Sequence, residues 1–148
     1  IGRQFGLQTL REGEEAAHEL FSRTGGEGAD IVLECVGSSA SLEQSINLAR
    51  QGAVVILVGN PAGDMTLTRK VYWKILRSEL VLRGVWNSRW GGEDSDWARV
   101  LHLFETMHSD LEALITHRFR LEECNRAFEV MTGGKEFAIK GMFLNDQA

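Results

Sequence analysis

A chain of 148 residues that is 43% hydrophobic is long and apolar enough to build one buried core, which excludes a disordered segment. Its net charge of −5, with the 16 Lys and Arg scattered, excludes the concentrated basic face of a nucleic-acid surface. No run reaches the apolar length of a membrane span and nothing at the start reads as a signal peptide, so the expected setting is a reducing cytoplasm without a membrane partner.

In chain order, Ile1 to Gly6 resembles the tail of a helix closing on a glycine, and Leu7-Gln8-Thr9-Leu10 reads as a brief strand. The chain thus enters as if in mid-fold. Glu12 to Thr24 follows as a helix, with acids in its first turn and Ala16, Ala17, Leu20 and Phe21 on its buried side. The glycine-rich loop Thr24-Gly25-Gly26-Glu27-Gly28 invites comparison with a phosphate cradle. Such a cradle needs its glycines after a strand and before a helix, and here the order is reversed. The loop is read as a helix end and a tight turn.

Two apolar runs dominate the first half of the chain. Ala29 to Gly37 and Gly52 to Asn60 are short, rich in Val and Ile, and bounded by turn residues, as in strands buried on both faces. Between them, Ser38 to Ser41 offers N-caps for a helix carrying Leu42, Ile46, Leu48 and Ala49, which Gly52 is expected to stop. Strand, helix and strand make a parallel, right-handed βαβ unit. Ligands of open parallel sheets bind beyond the carboxyl ends of the strands, which here are Cys35-Val36-Gly37 and Val58-Gly59-Asn60. Glycine at both ends would let a ligand approach the backbone, and equally would open a simple turn.

Pro61 to Asp64 reads as a turn, Met65 to Thr68 as a short extended piece, and Lys70 to Arg77 as one or two helical turns. Glu79 to Trp86 is a third strand, reaching a sheet edge that another element or a second subunit must cover. Asn87 to Ser95 is a polar loop. Asp96 is expected to cap a helix from Trp97 to His108 that turns Val100, Leu101, Leu103, Phe104 and Met107 toward the core. Leu114 to Arg120 is a strand, Glu122 to Thr132 a helix with Ala127, Phe128 and Met131 inward and Gly133-Gly134 as its stop, and Phe137 to Leu144 a last strand with Lys140 in its middle. By itself Lys140 is expected to snorkel, the alternative being an anion contact.

Cys35 and Cys124 are too far apart in sequence to indicate a disulfide framework and are read as small apolar residues, buried or half-buried. Neither they nor His18, His102, His108 and His117 stand at metal-ligand spacing.

The segments GADIVLECVG, GAVVILVGNPAG, KILRSELVLRGVW, LEALITHRFRLEECNRAFEVM and GKEFAIKGMF, in this order, resemble the zinc-containing medium-chain alcohol and polyol dehydrogenases over nearly the whole chain. KILRSEL followed by a tryptophan-bearing GVWN turn is most similar to the galactitol 1-phosphate branch, with sorbitol and threonine dehydrogenases as neighbours. The resemblance implies an α/β fold: the later half of a Rossmann-like doubly wound parallel sheet over residues 1–87, then a C-terminal α+β segment, 88–148, that packs toward a separate catalytic domain. It implies hydride transfer between NAD and a polyol, with zinc as Lewis acid. The zinc ligands, the proton relay and the residue that chooses NAD over NADP would all lie outside this chain.

The same resemblance implies cofactor contacts. Cys35, Val36 and Gly37 would border the adenosine ribose and the pyrophosphate crevice; Val58, Gly59 and Asn60 would lie against the nicotinamide and its ribose. Val85 and Asn87 would offer backbone groups to the carboxamide, and Lys140 would meet the pyrophosphate. Trp86, Ser88 and Arg89 would line the substrate end, with Arg89 facing a substrate phosphate. Leu80 to Trp86 would pair across a two-fold axis into a homodimer. The missing central strand would leave Ile31 to Val36 as an apolar edge. Two other readings share these residues: a non-catalytic binding or dimerisation module, and a zinc-free quinone or enoyl reductase relative, which KILRSEL and LITH disfavour.

Overall fold

The computed structural model describes residues 2–10, 13–106 and 111–145. They form two compact units, one of the described residues within 10–89 and one of the described residues within 2–9 and 90–145. The expectations that rest on Ile1, Glu12, Met107 and His108 lie outside the described residues.

In the first unit, helix α1 (Glu14–Arg23) leads through the glycine-rich turn to strand β1 (Ala29–Glu34), helix α2 (Ser39–Leu48), strand β2 (Ala49–Leu57), helix α3 (Arg69–Arg77) and strand β3 (Val81–Gly84). The three strands are parallel in the order β1-β2-β3. Each crossover moves one strand along in the same direction, and right-handed connections of that kind place α2 and α3 on the same face. There Leu42, Ile46 and Val71 pack with Leu57, Ile75 and Leu80, and Ala49, Ala53 and Val55 pack with Val32, Leu57 and Leu82. The paired residues Ile31, Val54 and Val81 point to the other face, as do Leu33, Ile56 and Arg83. Ile31, Leu33 and Val81 are more than half exposed. The unbroken apolar runs therefore predicted two buried faces where only one is covered, and β1 is an edge strand among the described residues, with Ile31 and Leu33 in solvent.

Local chemistry accounts for the element ends. Thr24 closes α1: its hydroxyl donates to the Leu20 carbonyl and accepts from the Gly28 amide, so the glycine loop is a helix terminus. Ser38 and Ser41 form a reciprocal capping box on α2. Gly52 does not stop α2. The helix ends on Ala49, which is wholly buried and extended, and Gly52, at φ +69°, lies in an irregular stretch of β2 where its amide donates to the Ser78 carbonyl. Thr68 caps α3 by accepting from the Val71 amide. Leu7 to Leu10 is not a strand, because no neighbouring strand pairs with it among the described residues.

In the second unit, helix α4 (Asp96–Thr106) precedes strand β4 (Ile115–Arg120), helix α5 (Cys124–Gly133) and strand β5 (Lys140–Leu144), with β4 and β5 parallel. The cap of α4 is Ser95, not Asp96: the Ser95 hydroxyl accepts from the Ala98 amide and its carbonyl from Arg99. No described residue of α4 is buried, and Val100, Leu101, Leu103 and Phe104, each about half exposed, are not core. In α5, Ala127 is inward as expected, whereas Phe128 is two-thirds exposed. Gly134, left-handed at φ +60°, ends that helix. Lys140 opens β5 and is exposed, since Phe137 to Ile139 precede the strand.

Candidate functional site: the tips of the parallel strands

Three consecutive parallel strands bring their carboxyl ends to one rim. The Val58 and Gly59 amides donate to the Glu34 carbonyl at 2.8 and 2.9 Å, and the Val85 amide to the Leu57 carbonyl at 3.1 Å, so each tip is anchored on the strand before it. Val36, Val58 and Val85, one just beyond each strand, are all exposed. An apolar residue left in solvent at the end of every strand is a surface prepared to be covered.

The turn after β1 is built around a residue that motif reading passed over. The Glu34 side chain is buried and its Oε1 accepts from the Ser41 hydroxyl at 2.7 Å and from the Gly37 and Val36 amides at 2.8 Å each. The Ser41 hydroxyl, followed by the Gly37 and Val36 amides, holds this carboxyl below its ordinary range, against the upward push of burial. The carboxylate satisfies two amides of the turn that leads into α2, and so fixes the tip's shape. The signal available in sequence was an acid ending an apolar strand three residues before a glycine.

Gly37 and Gly59 meet each other. A Cβ on Gly37, at φ +78°, would sit 2.3 Å from the Asn60 carbonyl oxygen, and one on Gly59 would sit 2.2 Å from the Gly37 nitrogen. The absent side chains thus serve the approach of the two tips to one another, which is a stricter requirement than opening a turn. Cys35, beside them, is exposed, because β1 ends before it; the expected burial does not hold. Along the outer side of the β1 tip runs a groove of about 470 Å³ lined by Leu10, Leu20, Val36, Ser38, Ser41 and Gln44 among others.

The structure brings Cys35, Val36 and Gly37 together with Val58, Gly59, Asn60 and Val85 on this rim. Trp86 is 77% exposed, and Asn87 takes a left-handed backbone at φ +48°, a conformation its short polar side chain tolerates. Ser88 and Arg89 complete the first unit, and Lys140 belongs to the second. No group of three or more His, Cys, Asp or Glu is placed to hold a metal among the described residues, so this donor set builds no zinc centre. No helix of the described residues is long and apolar enough to cross a membrane.

Residues 2–106 match the profile of the zinc-binding dehydrogenases, and the chain belongs to that family. It is 34% identical to the L-threonine 3-dehydrogenase of Symbiobacterium thermophilum over 128 residues, 85% of this chain and 35% of that one. With the L-arabinitol 4-dehydrogenase of Hypocrea jecorina it shares 29% identity over 92% of its own length and 34% of the relative's. Among solved structures, galactitol-1-phosphate dehydrogenase from Escherichia coli superposes with a TM-score of 0.75 at 28% identity, covering 93% of this chain and 42% of that chain. The chain therefore spans about a third of the length of the curated relatives it matches. Its three parallel strands with helices on one face are the later half of a Rossmann-like doubly wound sheet.

Proposed function

We propose that this chain is the nucleotide-binding part of a zinc-dependent dehydrogenase that moves hydride between NAD and a sugar alcohol, with a phosphorylated polyol as the preferred substrate class. The observation that carries the reading is the rim of three exposed valines, Val36, Val58 and Val85, on parallel strand tips locked together by Glu34, Gly37 and Gly59. Such a rim is where doubly wound sheets seat a dinucleotide.

The residues present fit half of that ligand's needs. Val36 and the Ser38 and Ser41 side of the groove receive the adenosine end, with Cys35 and Gly37 beside the ribose. Val58, Gly59 and Asn60 lie against the nicotinamide, and the backbone at Val85 and Asn87 orients its carboxamide. When bound, the nicotinamide supplies the hydride acceptor; these residues bind it, orient its ring and exclude water from one side. Zinc, with ligands outside this chain, belongs to the same proposal, as does a homodimer through the exposed edge of β3 over Leu80 to Trp86, for which sedimentation at one subunit mass is the contrary result.

The substrate class draws on a polyol-phosphate dehydrogenase and an arabinitol dehydrogenase among the relatives, and on Arg89 following the β3 tip. In the dehydrogenase that contains this chain, Arg89→Ala is expected to raise KM for a phosphorylated polyol about tenfold while leaving the unphosphorylated polyol unchanged. Equal KM values for both substrates in both proteins discard the phosphate assignment.

A further inference from the structure

The outer surface of α3 carries Arg69, Lys70, Lys74 and Arg77 with Trp73 between them, and no acid falls within Arg69–Arg77. With Asn47 of α2 they line a groove of about 530 Å³. The Arg77 guanidinium stacks over the Trp73 ring at 4.9 Å from its centroid, which fixes one cation and leaves the half-exposed indole as part of the wall. None of the four cations forms an ion pair among the described residues.

The last turn of the helix favours Lys74 and Arg77, but the rest of the arrangement opposes the helix's stability. Lys70, Lys74 and Arg77 stand at spacings of four and three, where like charges repel, and Arg69 and Lys70 occupy the first turn, where the helix dipole disfavours cations. In a chain of net charge −5 nothing about solubility calls for it. An anion in the groove removes both penalties. The volume is that of a small-molecule site, the charge matches several phosphate oxygens, and the indole and the Asn47 amide offer a base a stacking surface and a hydrogen-bonding edge.

We infer that this groove on α3 binds a nucleoside polyphosphate. The groove shares no lining residue with the rim of Val36, Gly37, Val58, Gly59 and Val85 or with the groove beside the β1 tip, so it is a separate site.

The test is titration of the purified chain with ATP, with inorganic tripolyphosphate and adenosine as partial ligands, read by calorimetry at low and high salt. ATP is expected to bind saturably and at least tenfold more tightly than either partial ligand. The double variant Lys70→Gln/Arg77→Gln is expected to weaken it at least tenfold, Trp73→Leu about fivefold, and NADH not to displace it. All three substitutions are at exposed positions, and unchanged circular dichroism shows that the helix persists. No saturable binding, the same affinity in the double variant, tripolyphosphate binding as tightly as ATP, or displacement by NADH each overturns the assignment.

Discussion

On one face of the three-stranded sheet Val32, Val55, Leu57 and Leu82 lie under α2 and α3; on the other, Ile31 and Leu33 remain 59% and 61% exposed although their strand is equally apolar. The difference is topological, because both crossovers run in one direction and deliver both helices to one side. An apolar run records that a strand is meant to be covered and says nothing about which part of a protein covers it. The second unit repeats the point: Ala127 and Phe119 are buried, while the apolar residues of α4 are not.

Substitutions at the junction of the two faces are expected to have the largest effect. Gly37→Ala places a Cβ against the Asn60 carbonyl in a left-handed backbone and is predicted to cost more than about 3 kcal/mol, read as a shift in denaturant midpoint. On the covered face, Ile46→Ala, at a wholly buried position, is predicted to cost about 2–4 kcal/mol. On the open face, Leu33→Ser is predicted to change stability by less than about 0.5 kcal/mol and to reduce self-association, measured by light scattering. An equal loss at Ile46 and Leu33 would erase the distinction between the faces.

The effect expected at the rim is smaller than that at Ile46. The folded state holds the Glu34 carboxyl below its ordinary value of 4.5, so its contribution to stability is complete above that pH and is lost as pH falls through the lower folded value. Glu34→Gln is predicted to cost about 1–3 kcal/mol at neutral pH, with the gap to the wild-type chain closing below pH 4.5. A gap constant with pH would remove the ionised carboxylate from the tip. Smaller again, though above the change expected at Leu33, is the effect of Glu79→Gly. Glu79 follows α3 in a left-handed backbone at φ +52°, where the Leu80 amide donates to Ile75, and glycine is predicted to add about 0.5–1 kcal/mol.

The serine cap of α2 and the C-terminal ends of α1 and α5 were legible because each depends on residues within one or two turns, and the parallel βαβ order because one short helical crossover permits little else. What was not legible depends on partners distant in sequence. Gly52 looks like a helix stop until Ser78 is seen to accept its amide. Asp96 and Ser95 are equally good caps on paper, and it is the Ala98 amide donating to the Ser95 hydroxyl that separates them. At the site, glycines 37 and 59 stood out, but that they face one another, and that Glu34 organises the turn, required the fold.

The most direct measurement is backbone amide NMR of the chain titrated with NADH. Saturable shifts confined to Val36, Gly37, Ser38, Val58 to Asn60 and Val85, abolished by Val36→Asp, are the predicted result. Shifts scattered over α3 or β5 with the strand tips silent, or none at millimolar NADH, would contradict the cofactor rim.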